Sequence, residues 1–200
     1  KVGELGKKFD YVVSSGVLHH LKEPEKGLAA ILNTLKPEGR MSISLYSKWA
    51  RDIILNPASE YIVEKDYSSS LDDIRRFRQD IMKMSPDDPK TFCTRAGDFF
   101  NLSECNDLLF HVQEHRYTFP LIKDMAERHG LTPYFTSLSP AKKLLFATMF
   151  PDGKLSDLNL MAQFEEKNPD FFAEMYKVYF HRNGDATTHP LDQLVYLGVL

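Results

Sequence analysis

Cysteine is scarce in this chain. Only Cys93 and Cys105 occur in 200 residues, too few for a disulfide framework and without the spacing of a metal site, so both read as reduced thiols of a cytoplasmic protein. No apolar run approaches the roughly 20 residues that span a bilayer, and the first residues lack the apolar centre of a signal peptide. A surplus of either charge is missing as well. With 25 Lys and Arg against 28 Asp and Glu, the net charge is -3, and a pI near 6.2 gives no bulk attraction to nucleic acid or to an anionic membrane. Internal repeats and low-complexity tracts are absent. What remains is 42% hydrophobic and 26% charged, enough to bury the core of one domain and not disordered by composition.

The most informative stretch is Phe9-Asp10-Tyr11-Val12-Val13-Ser14-Ser15-Gly16-Val17-Leu18-His19-His20-Leu21. Residues 11–13 form a β-rich run, residues 14–16 break it, and residues 17–21 carry the chain over the strand's end toward Glu23-Pro24. Pro24 then suits a first helical turn, and Leu28, Ile31, Leu32 and Leu35 recur at the spacing of one helix face. Lys36-Pro37-Glu38-Gly39 is expected to close that helix, and residues 41–46 alternate at strand period. A short helix between two strands makes a parallel crossover, so both strands should lie side by side and end on one rim. Ser15, Gly16, His19, His20 and Tyr46 fall on that rim, where open parallel sheets bind their ligands.

FDYVVSSGVLHHL, a helix, then LKPEG and RMSISLYS together resemble the middle of a class I S-adenosylmethionine-dependent methyltransferase, from its fourth strand through its fifth. HVQEHRYTFPLIKDMAERHGL is similar to a later segment of bacterial members, some of them fused to helical repeats. Glu38 stands where the family usually has glycine, whereas Gly39 is kept. The resemblance implies an α/β fold: a partial Rossmann-like methyltransferase sheet from the fourth strand onward, with a helical insertion and without the first three strands. The family grips its cofactor mainly through a glycine-rich loop after its first strand and an acidic residue ending its second. Gly3-Glu4-Leu5-Gly6 is too short to stand in for that loop. On this reading the chain is a truncated product or a fragment, and alone it is expected neither to bind S-adenosylmethionine nor to catalyse. The alternative is a non-catalytic remnant that acts as a binding or interaction module.

What the resemblance implies for the site is specific. Ser15, Gly16 and Val17 would pass their backbone beside the cofactor, His19 and His20 would face a methyl acceptor of unknown identity with one of them as base, and Tyr46 would wall the pocket. A rim histidine that merely hydrogen-bonds backbone is the competing reading for the pair.

Along the rest of the chain the domain divides into a core at 1–47, a helical insertion at 48–110 and C-terminal helices and strands at 111–200. Trp49, Ile53 and Ile54 suggest a short helix that stops near Asn56-Pro57, and residues 61–63 begin another. Ser70 reads as an N-cap, Asp72 and Asp73 suit a first turn, and Ile74, Phe77, Ile81 and Met84 share a face. Arg75, Arg76, Arg78 and Lys83 on that helix read as a solvated surface. Residues 103–110 form a short capped helix. Thr118 caps the next, with Pro120 in its first turn, Leu121, Ile122, Met125 and Ala126 buried, and Gly130 at its end. Residues 131–138 are a strand, residues 140–150 a helix through Leu144, Leu145 and Thr148, and residues 156–167 another. Residues 171–181 read as a helical turn followed by a last strand, and residues 191–200 as an apolar tail.

His111-Val112-Gln113-Glu114-His115 carries competing readings. H-x-x-E-H on a helix is the signature of inverted zinc proteases, in which His111 and His115 share a face and Glu165 or Glu174 completes the set. A polar segment bonded to neighbouring backbone is the plainer reading. In the third, His111, Glu114, His115 and Tyr117 line the acceptor side of the pocket. Finally, residues 11–15 would have one unpaired strand edge, which predicts a homodimer through that edge or the adjoining face.

Overall fold

The computed structural model describes residues 5–110, 114–173, 175–184, 189, 192 and 195. Strand β1 (Phe9–Ser15), helix α1 (Pro24–Leu32) and strand β2 (Leu35–Leu45) follow in order. The two strands are parallel neighbours, with Tyr11 opposite Arg40 and Ser15 opposite Ser44, as the strand-helix-strand pattern requires. Helix α1 buries Leu28 and Leu32. It ends earlier than its apolar spacing suggested, because Thr34 turns back with its amide and hydroxyl both bonded to the Ile31 carbonyl. Leu35 therefore opens the strand, and Lys36-Pro37-Glu38-Gly39 is a bulge within β2, not a helix stop: Phe9 pairs with Leu35, yet Tyr11 pairs with Arg40. Gly39 is needed there because a Cβ would come 2.7 Å from Leu35 Cδ1 and 3.1 Å from the Asp10 carbonyl oxygen.

Among the described residues the sheet has four strands in the order β1-β2-β4-β3, β3 being Leu131–Thr136 and β4 Tyr176–Arg182. Strand β4 runs antiparallel to both its neighbours. Its first residues therefore share the rim on which β1 and β2 end. One sheet face carries the main core, where Met41, Ile43, Leu45, Val178 and Phe180 meet residues of α1, α6 (Phe119–Arg128), α7 (Pro140–Met149) and α8 (Leu158–Lys167). Each such buried aliphatic or aromatic side chain contributes about 2 kcal/mol. Thr118 caps α6 and Gly130, at φ +63°, ends it. Leu121 is exposed, however, as are Leu144 and Leu145 of α7, where Phe146 is the residue turned inward. Helix α8 starts at Leu158, capped by Asp157.

Residues 48–110 pack around a separate cluster that includes Ile54, Ile74, Phe77, Ile81 and Phe99. Helix α2 (Lys48–Ala50) continues through a π-helical turn, Arg51–Leu55, into α3 (Asn56–Glu64). The expected stop at Asn56-Pro57 does not occur. The wider π turn bonds the Asn56 amide back to the Arg51 carbonyl and places Pro57 in the first turn of α3, the part of an α-helix that best tolerates proline. Helix α4 (Leu71–Lys83) follows its pattern: Ser70 Oγ accepts from the Asp73 amide, Ile74, Phe77 and Ile81 are buried, and Arg75, Arg76 and Lys83 pair with Asp72, Asp73 and Asp80 on the solvated side. Helix α5 (Leu102–Leu109) is capped by Asn101. Of the apolar tail, Asp192 and Val195 lie within the described residues, and Val195 packs on Phe135 and Tyr179 on the opposite sheet face.

Candidate functional site

The rim is assembled by a segment far from it in sequence. Beyond β2, the Tyr117 amide donates to the Tyr46 carbonyl at 2.9 Å and the Lys48 amide to the Tyr117 carbonyl at 2.7 Å, a parallel bridge centred on Ser47 and Tyr117. Two residues earlier, the His115 amide donates to the His19 carbonyl at 2.8 Å. One short extended stretch thus ties together the chain leaving β1 and the chain leaving β2.

The side chains beside it form an aromatic and ionic stack. His19, fully enclosed at 0% exposure, lies with its ring 3.9 Å from the Tyr46 ring, and the half-buried His20 meets His19 edge-on at 4.3 Å. Arg51 places its guanidinium carbon 3.4 Å from the centre of Tyr46. Its Nη1 donates to the Leu108 carbonyl at 3.1 Å, and its Nη2 lies 3.0 Å from Glu114 Oε2 without the alignment of a hydrogen bond. Glu114 also accepts from Arg116 Nε at 3.1 Å, and Arg116 reaches Asp52 at 2.8 Å. Burial pushes the Tyr46 hydroxyl up and pulls the Arg51 guanidinium down from their ordinary values.

Behind the stack lies a second polar cluster. Ser47 caps α2, accepting from the Ala50 amide, and donates to Glu165 Oε1 at 2.6 Å; the Tyr176 hydroxyl donates to the same oxygen at 2.5 Å. Burial raises the Glu165 carboxyl and the Tyr176 hydroxyl above their usual ranges.

The structure therefore brings His19, His20 and Tyr46 together; Glu114 reaches the cluster through Arg51, and His115 and Tyr117 reach it through their backbones, the Tyr117 side chain packing against the main core. Ser15, Gly16 and Val17 end β1 on its open side: Ser15 and Val17 are exposed, and Gly16 takes φ +69° with empty space where a Cβ would point. That positive φ requires glycine at the turn. His111 and Glu174 lie outside the described residues. The zinc reading loses its geometry, since residues 114–116 are not helical and Glu165 is engaged by Ser47 and Tyr176. Among the described residues no group of His, Cys, Asp and Glu is placed to hold a metal ion, and no helix is long and apolar enough to cross a membrane.

Arg51, Arg116, Ser47 and Tyr176 were missed by sequence reasoning. Arg51 had one signal: it occupies the apolar stripe of Ile54, Leu55 and Ala58, all buried, where a cation needs a partner. Away from the rim, a cavity of about 560 Å³ lined by Lys123, Glu127, Leu131, Asp152 and Lys154 opens at the other end of β3.

Comparison with known proteins gives the fold its place. The family described as "Methyltransferase domain" matches residues 5–43, which hold β1, α1 and most of β2. An uncharacterized protein of Synechococcus is 42% identical over 50 residues, which are 25% of this chain and 12% of that protein. The structure of PKMT2 from Rickettsia typhi superposes with a TM-score of 0.56 at 15% identity, and the same protein in complex with AdoHcy with 0.60 at 14%. In both, 97% of this chain is covered and 40% of the other, so the chain spans less than half of the solved structures it matches. The chain thus has a class I S-adenosylmethionine-dependent methyltransferase-like fold, a mixed four-stranded sheet with helices inserted after its second strand.

Proposed function

We propose that the rim is the acceptor side of a methyl-transfer site. The observation that carries this reading is the joining of the two strand ends by residues 115–117, which holds His19, His20 and Tyr46 against one another beside the open turn at Gly16. In this reading β1, β2, β3 and β4 are the family's fourth, fifth, sixth and seventh strands, and residues 48–110 roof the acceptor. The AdoHcy complex of the Rickettsia protein supports a nucleoside-sulfur cofactor for this fold.

The residues present fit such a cofactor on the β1 side. Gly16 leaves space for close approach, and the exposed Ser15 and Val17 flank it. When bound, S-adenosylmethionine supplies an electrophilic methyl group on a sulfonium. Methyl transfer is an in-line displacement, so the protein's task is alignment, exclusion of water and removal of a proton from the acceptor. Tyr46 walls the site, and Arg51 and Glu114 hold that ring in place. His20, half-exposed, takes the acceptor's proton, while the enclosed His19 positions Tyr46 and His20.

Among the described residues no strand and no glycine-rich loop precede β1, so the grip on the cofactor is weak in this chain alone. Calorimetry with S-adenosylmethionine is expected to show no measurable heat at micromolar protein. Firm binding would contradict the reading that this chain alone grips the cofactor weakly. The exposed Phe9, Val13 and Val17 along and beyond the free edge of β1 support the related proposal that two copies pair there.

A further inference from the structure

A cavity of about 470 Å³ opens beside the first residues of β4, lined by Arg95, Ser137, Leu138, Lys142, Phe172 and Lys177 among others. The sheet register puts it on the site's own rim: Ser15 pairs with Ser44, and Ser44 pairs with Lys177 in the same row. Two strand spacings of about 4.8 Å separate the two ends, roughly 10 Å. The Ser137 amide donates to the Lys177 carbonyl at 2.9 Å, which fixes the strand end that carries the ammonium group.

Among the described residues its charge is one-sided. Three cations from three elements line it: Arg95 from a 3-10 turn, Lys142 from the first turn of α7 and Lys177 from β4. No carboxylate among the described residues lines it or pairs with any of the three. Lys142 is held by a hydrogen bond to the Phe171 carbonyl. The N-terminus of the ten-residue α7, capped by Ser139, borders the cavity, an added positive element. Leu138 and Phe172, both buried, give it an apolar floor. Cations over an apolar floor suit an anionic group on an apolar body.

We infer that this cavity binds a phosphate or carboxylate carried on an apolar body, and that it holds the far end of the methyl acceptor. The second clause rests on the methyl-transfer reading; the anion site itself does not. Glu174, next in the chain to Ala173, lies outside the described residues, and the test includes it.

Inorganic phosphate, phenyl phosphate and benzoate titrated into the ¹⁵N-labelled chain should shift the amides of Ser137, Ser139, Lys142 and Lys177 saturably. Phenyl phosphate should bind about tenfold tighter than inorganic phosphate, because its ring adds apolar burial. Arg95→Gln and Lys177→Gln should each weaken binding about fivefold or more, while Lys123→Gln, at the other end of the sheet, leaves it unchanged. Whichever of phenyl phosphate and benzoate binds tighter identifies the group. Absence of saturable shifts, or equal weakening by Lys123→Gln, overturns the site and leaves the proposed function standing. Binding that emerges only in Glu174→Gln also overturns it, by making the chain's own carboxylate the occupant. Anion binding together with no response of residues 15–17 to S-adenosylmethionine keeps the site and removes its link to methyl transfer.

Discussion

Arg51 covers the ring of Tyr46 at 3.4 Å while its Nη2 rests 3.0 Å from Glu114. A cation held between an aromatic face and a carboxylate is stable only while both remain, since the guanidinium is nearly excluded from solvent at 1% exposure. The rim's shape therefore depends on an ion pair joining the π turn to the segment after α5.

Removing the carboxylate leaves that cation uncompensated. Glu114→Ala should lose about 3 kcal/mol of stability, more than Arg51→Met, which removes the charge and keeps the packing. Urea unfolding of the two variants checks the order. A smaller loss in Glu114→Ala contradicts it.

Glu165 makes stability depend on pH with a definite sign. Burial holds its carboxyl above the ordinary value of 4.5, and the Ser47 and Tyr176 hydroxyls offset this without reversing it. A carboxyl raised in the folded state favours folding fully below its unfolded value, and that contribution is lost as pH rises through the native one. Glu165→Gln is neutral at every pH. Its melting temperature relative to wild type should therefore climb between about pH 4 and pH 8, and a flat or falling difference goes against the assignment.

Both thiols should be inert while the protein is folded. Cys93 and Cys105 have 0% exposure, and burial pushes them up to about 12 and about 11. A thiol-reactive dye at pH 8 should modify them at least about a hundredfold slower than in urea, at a rate set by opening of the fold. Rapid modification of the native chain would show that the cluster around Phe77 and Phe99 is open.

The edge of β1, free among the described residues, gives a prediction about assembly. Sedimentation at micromolar concentration should find a dimer, and Val13→Lys, which sets a charge on that strand, should give a monomer. A monomeric wild-type chain contradicts the pairing.

Much of the sheet was legible because β1 and β2 follow strand period and α1 follows helical period, each local and strong. Boundaries failed where a non-local partner decided them. Leu35 fits the helix face of Leu28 and Leu32 yet joins the strand, since Phe9 pairs with it. Pro57 ends an α-helix only when the turn before it is α, and a π turn is not visible in composition. At the site, His19, His20 and Tyr46 were legible from their place past strand ends. The stitching of His115 to His19 and of Tyr117 to Tyr46 was not, because backbone bonds between segments about 70 to 100 residues apart leave no local pattern. Arg51, on an apolar stripe, was the one missed residue with a readable sign.

The central claim is that a methyl donor meets this chain at the turn ending β1. S-adenosylmethionine titrated into the ¹⁵N-labelled chain should shift the amides of Ser15, Gly16, Val17 and His20 first, with millimolar affinity. A shift map centred elsewhere, or none at these amides at any attainable concentration, would contradict the account.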